Sequence, residues 1–212
     1  GKIKWHFQYT PNDSHDYDET GTHILIDAKV DGKDRKIITH AGRNGFHYTF
    51  DRLTGQFLKG AQYVKEVTWT KGLDPKTGRP VDYDPTKDVQ LYTVGTTPRR
   101  GQAPGRICPS HFGGKNWEPG AYNPRLNLVY IPGIEGCNFV ELKEQLDFAD
   151  QGGARCDVRG IEQPVRRDAD ELRIGDVLVD VRLGDLDRFD HRVLGLRRAR
   201  PERRHVEDRK ST

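Results

Sequence analysis

A chain of 212 residues admits one or two ordinary domains, and its 33% hydrophobic content is low for a protein that must fill a core along its whole length. The 35 basic and 32 acidic residues leave a net charge of +3, so no overall field calls for nucleic acid or a membrane surface. No apolar run reaches transmembrane length and no signal peptide is visible, and a chain that opens GKIKWHF without a single methionine is expected to be a fragment.

The first informative stretch is PNDSHDYDETG, Pro11 to Gly21, which gathers Asp13, Asp16, Asp18 and Glu19 around His15. Such a crowd reads as a solvated turn, because Asp and Asn bond their own backbone there. It also reads as a cation site. In an extended segment Asp16 and Asp18 point to one side, where like charges repel unless a cation lies between them. Asp13, at an odd offset from Asp16, suits a turn or capping role, and His15 a structural one.

From Thr22 to Tyr63 short β-runs alternate with turn signals: THILIDAKV, DG, KIITHA, RNG, FHYTFD, DRLTG and QFLKGAQYV. Asp31-Gly32 and Asn44-Gly45 are dipeptides that supply the positive φ of hairpin turns, so the region is predicted to be an antiparallel meander. Long loops rich in Gly, Pro and Asp follow, of the kind that tends to be functional. LNLVYIPG and CNFVELK are expected to close the readable part as a strand pair. Helical periodicity is nearly absent, so the fold class is all-β. GKIKW at Gly1 echoes GQFLK at Gly55, a period on the scale of a propeller blade, although strand count alone also fits a sandwich.

The composition breaks near residue 150. Up to that point there are 12 Lys and 8 Arg; beyond it there are 1 Lys and 14 Arg, and from Gly153 onward Phe189 is the one aromatic residue. The chain is therefore divided into residues 1–150 and an Arg/Asp-rich tail, 151–212, expected to be of low order and outside the main fold. A solvated extension, a nucleic-acid arm and the product of a shifted reading frame compete for the tail. Its nine Asp weaken any phosphate-binding surface, so nucleic acid ranks last, and the frameshift best explains an abrupt change without a linker.

Three stretches taken in order, WHFQYTPNDSHDYDETG, HAGRNGFHYTFDR and CPSHFGGKNWEPGAYNP, resemble the quinoprotein alcohol dehydrogenases, which use pyrroloquinoline quinone (PQQ) and a metal ion in an eight-bladed β-propeller. The resemblance covers residues 1–150 and implies a partial propeller. It places Asp16 as the catalytic base and a metal ligand. Asp18 falls where lanthanide-using members carry a second aspartate and calcium-using members an uncharged residue, which favours a lanthanide over calcium. Arg43 matches the cation that reaches the quinone carbonyl oxygens, and Asn116 and Trp117 match positions that contact the cofactor. Cys108 and Cys137 fall where the family carries a disulfide, which implies an oxidising compartment, the periplasm. Cys156 has no evident partner.

The resemblance further implies a small alcohol substrate and cytochrome c as electron acceptor. The family's remaining metal ligands, a Glu and an Asn, and the Trp and vicinal disulfide that sandwich the quinone, have no match here, so this chain alone is expected to be inactive. The alternative is a non-enzymatic β-propeller interaction module, which would not require Asp16, Arg43 and Asn116 together.

Overall fold

The structure, a computed structural model, describes residues 1–140 apart from 94, 95, 98, 100 and 104, together with residue 142 and the strand Val177–Arg182. Among the described residues every regular element is a strand. Strands β1 (Ile24–Val30), β2 (Lys33–Ala41), β3 (Phe46–Asp51) and β4 (Phe57–Gln62) form one antiparallel sheet in chain order, the meander that the turn signals predict. Val30 pairs with Lys33, which leaves Asp31 and Gly32 as a two-residue turn at φ 50° and 74°. Between β3 and β4, Asp51 Oδ1 accepts bonds from the backbone N–H of Leu53 and Thr54 and from the Thr54 hydroxyl, each 3.0 Å. That turn ends at Gly55, where a Cβ would lie 2.5 Å from Trp5 Cγ. The two echoing segments thus meet in space, and Trp5 Nε1 donates to the Arg52 carbonyl at 3.0 Å.

The alternation of β2 and β3 sorts side chains onto two faces. On one, Ile37 and Ala41 join Ile26, Val30, Val129 and Ile131 in an aliphatic core. On the other, Phe46, Tyr48 and Phe50 join Tyr17 and Trp69 in an aromatic one, flanked by Trp5, Phe7 and Tyr9. Because β3 is covered on both faces, Phe46 to Phe50 are all buried. Large rings supply apolar area that the low hydrophobic content would otherwise withhold.

Among the described residues, the expected pairing of LNLVYIPG with CNFVELK does not form. Strand β7 (Leu128–Gly133) pairs with β6 (Ala121–Asn123), while β8 (Asn138–Val140) pairs with β5 (Gly105–Ile107). The connection between β7 and β8 is drawn elsewhere: Ile134 N–H donates to Gly114 O at 2.7 Å, and Ser110 N–H to Gly136 O at 2.8 Å. The Cys108–Cys137 disulfide then fastens the start of β8 to the end of β5. Of the tail, expected to lie outside the propeller, the described residues are the strand β9 (Val177–Arg182), which pairs antiparallel with β7 from Leu128↔Arg182 to Gly133↔Val177. The boundary near residue 150, Cys156 and Phe189 lie outside the described residues.

Candidate active site

Asp13 shapes the acidic loop. Its Oδ1 accepts the His15 N–H at 2.8 Å and its Oδ2 the Tyr17 N–H at 2.5 Å, the turn role expected of it. Within this turn Asp16 takes φ 66°, a left-handed conformation that Asp tolerates better than most residues. Tyr17 points inward, is buried against Trp69, and donates its hydroxyl to the Pro109 carbonyl. The His15 ring lies tilted against Tyr17, with ring centroids 5.3 Å apart, and burial pushes its pKa down to about 4, which fits a neutral structural role.

With Tyr17 turned in, Asp16 and Asp18 turn out to one side. Their side chains are 68% and 69% exposed, and both reach Arg43: Asp16 Oδ2 lies 3.7 Å from Nη2 and Asp18 Oδ1 3.4 Å from Nη1. Arg43 sits on the turn joining β2 to β3. Its side chain is only 8% exposed; Nη2 donates to the His111 carbonyl, and the buried Nε has no protein partner among the described residues. Its backbone is held as closely, for Arg43 O accepts the Gly114 N–H at 2.8 Å. Gly113, at φ 80°, permits this approach, since a Cβ there would lie 2.6 Å from Arg43 Cβ.

The third stretch comes to the same place. Asn116 Nδ2 donates to Phe112 O at 3.0 Å, and its Oδ1 accepts the Trp117 N–H at 2.9 Å and faces the Thr20 hydroxyl at 3.5 Å. Trp117 is 69% exposed, so it is not a core residue. Cys108 and Cys137 form the disulfide that the resemblance implies, and it anchors the loop whose Pro109 and His111 carbonyls hold Tyr17 and Arg43.

Residues beyond those expected also converge here. Glu19 Oε2 lies 2.6 Å from His40 Nε2 and accepts the Arg43 N–H at 3.3 Å. Lys115 is buried with Nζ on the Asn116 carbonyl at 2.9 Å; burial pushes its pKa down, against the attraction of Glu118 and Glu19. Glu19 was visible as one acid of the cluster and His40 as a polar residue in the strand run KIITHA, but neither spacing reveals that they meet.

The PQQ family model described as glucose/ethanol/alcohol dehydrogenase, beta-propeller domain, matches residues 1–68. The chain is 39% identical over 132 residues to a quinohemoprotein alcohol dehydrogenase of Comamonas testosteroni, covering 62% of this chain and 17% of that protein. It is 39% identical over 136 residues to a quinoprotein ethanol dehydrogenase of Pseudomonas putida, covering 62% of this chain and 21% of that protein. Among solved structures, a europium-containing methanol dehydrogenase aligns with a TM-score of 0.57 and 34% identity over 66% of this chain and 22% of that one. The chain thus spans about a fifth of the length of the relatives it matches, and over the part they cover its strands form an arc of a β-propeller. Over the part that these relatives cover, the chain is similar to the PQQ-dependent (quinoprotein) alcohol dehydrogenases.

Proposed function

We propose that this chain supplies part of the active site of a PQQ-dependent alcohol dehydrogenase, with Asp16 as general base. The observation that carries the reading is the convergence of Asp16 and Asp18 on the buried guanidinium of Arg43. The groups suit the cofactor and ion. Two exposed carboxylates offer hard oxygen ligands, Arg43 Nε is a buried donor with no partner among the described residues, and the exposed Trp117 ring offers an aromatic face nearby in the chain.

When bound, PQQ supplies a carbonyl carbon that accepts hydride from the alcohol, and the metal supplies a Lewis acid. Asp16 takes the hydroxyl proton of the substrate. Arg43 presents its guanidinium where negative charge develops, Asn116 offers an amide that both donates and accepts, and Trp117 borders the cofactor. Asp16 and Asp18 hold the metal. A second carboxylate adds ligand charge and so favours a trivalent lanthanide over calcium, and the europium of the methanol dehydrogenase neighbour supports the same choice. The substrate is a small alcohol and the electron acceptor a cytochrome c, a partner that one relative, a lupanine 17-hydroxylase [cytochrome c] 40% identical to this chain, carries in its name. The compartment is the periplasm, in keeping with the disulfide. No turnover is expected of the 212-residue chain alone, because two carboxylates fall short of the roughly six to eight oxygens that such hard ions take.

The test is a chimera in which this segment replaces the matching 132 residues of the Comamonas testosteroni relative. Loaded with PQQ and either calcium or lanthanum, it is expected to reduce dye in the presence of alcohol. Asp16→Asn should lower turnover about 10²- to 10⁴-fold, and Asp18→Ala should weaken the lanthanum response more than the calcium response. Near-normal turnover of Asp16→Asn overturns the base assignment; full activity with calcium and no gain from lanthanum overturns the lanthanide assignment.

A further inference from the structure

Glu19 follows Asp18 in the chain, yet its carboxylate turns the other way. Asp18 Oδ1 meets the guanidinium of Arg43 at 3.4 Å, whereas Glu19 Oε2 accepts the backbone N–H of the same Arg43 at 3.3 Å. Two consecutive acids therefore grip one arginine at both ends. The inner grip is buried: the Glu19 side chain is 16% exposed, and its other partner, His40 at 2.6 Å, is fully enclosed. His40 is itself fixed, stacked on His23 with ring centroids 3.9 Å apart and facing the Tyr9 ring at 4.9 Å.

Two glycines make room for this arrangement. A Cβ at Gly42 would lie 2.9 Å from Glu19 Oε1, and one at Gly21 would lie 2.5 Å from Lys115 Nζ and 3.4 Å from His40 Cε1. Lys115, whose Nζ bonds the Asn116 carbonyl, is close enough to feel the Glu19 charge. The segments bearing Asp16 and Asp18, Arg43, and Asn116 thus meet around one carboxylate.

We propose that Glu19 is a positioning residue of this site: by accepting the His40 imidazole and the Arg43 N–H on one oxygen, it sets where the Arg43 guanidinium stands relative to Asp16 and Asp18. The inference rests on the dehydrogenase reading for what Arg43 does, but not for where Arg43 is held. A site group must be kept within about 0.5 Å of its working geometry by the packing behind it, and Glu19 is that support for the arginine. Both bonds fall on a single oxygen, so a glutamine carbonyl can replace it while a shorter or apolar side chain cannot.

The experiment is amide hydrogen exchange on the full 212-residue chain, comparing Arg43 with Ile37 in the core of β2. Glu19→Ala is expected to speed exchange at Arg43 about tenfold beyond any change at Ile37, the size of one net hydrogen bond. Glu19→Gln should stay within about threefold of the natural chain. An unchanged Arg43 in Glu19→Ala overturns the proposal, as does an equal change at Arg43 and Ile37, which marks general destabilisation. A glutamine as damaging as alanine also overturns it, since Glu19 would then act through its charge. If Glu19→Ala does not fold, Glu19→Asp carries the test, because it keeps the charge but is one methylene short; retained protection at Arg43 then refutes the proposal. No quinone or metal enters this measurement, so a chimera without turnover, beside an Arg43 that is protected in the natural chain and loses that protection in Glu19→Ala, sinks the dehydrogenase reading alone.

Discussion

Replacing Asn44 with alanine should remove the support of the turn that carries Arg43. The Asn44 side chain is fully buried. Its Nδ2 donates toward Tyr48 Oη at 2.8 Å, Thr10 Oγ1 at 3.1 Å and Tyr9 O at 3.2 Å, and its Oδ1 accepts the Phe46 N–H at 3.1 Å. Two amide protons and one carbonyl make at least three productive bonds, each worth about 1 kcal/mol net, and the alanine leaves polar atoms facing a buried gap. Together the loss is about 3–5 kcal/mol, a large share of the roughly 5–15 kcal/mol by which domains are stable. Urea denaturation followed by tryptophan fluorescence reads it directly, because Trp69 is buried and donates Nε1–H to the Asn44 carbonyl at 2.8 Å. Asn44→Asp separates shape from hydrogen bonding: it keeps the volume and the acceptor for Phe46 but sets a carboxylate against the Tyr9 carbonyl, so it too should destabilise. A loss under about 1 kcal/mol for Asn44→Ala would refute the reasoning.

Two further outcomes follow from buried groups. His47 is buried with Nε2 at 2.5 Å from the Thr39 hydroxyl, and desolvation, with a smaller contribution from nearby His40, pushes its pKa down to about 3. Its folded value lies below its unfolded one, so its share of stability is complete above about pH 6.5 and is lost as pH falls toward 3, at about 1.4 kcal/mol per pH unit. Urea midpoints taken from pH 7 to pH 5 should fall less steeply in His47→Asn, and equal slopes would contradict the assignment. Gly113→Ala should cost about 1–3 kcal/mol more than Gly32→Ala. Both glycines have positive φ, but a Cβ at Gly113 strikes Arg43 whereas one at Gly32 meets nothing within 4 Å. Equal losses in a denaturation series would mean that the Arg43 backbone yields freely.

What was legible in the sequence was local. The meander could be read because Asp31-Gly32 and the alternation of β1 to β3 specify a turn and a register within a few residues. The partners of β7 and β8 could not, since two short strands take their neighbours from a disulfide and from backbone bonds to the loop around Ser110 and Gly114, all distant in the chain. The site divides along the same line. Asp16 and Asp18 were expected on a common side from the two-residue period of an extended segment; both do reach Arg43, but Asp16 gets there at φ 66° in a turn held by Asp13, not through extended backbone. Glu19 carries the same charge one residue later, and nothing in its neighbourhood in the chain says that it turns inward. Its direction is decided by an imidazole on β2, by the N–H of a turn, and by the space that two glycines leave. An exposed acid offers a ligand and a buried one fixes a geometry, so two adjacent acids in one loop acquire different roles only once the strands behind them have folded.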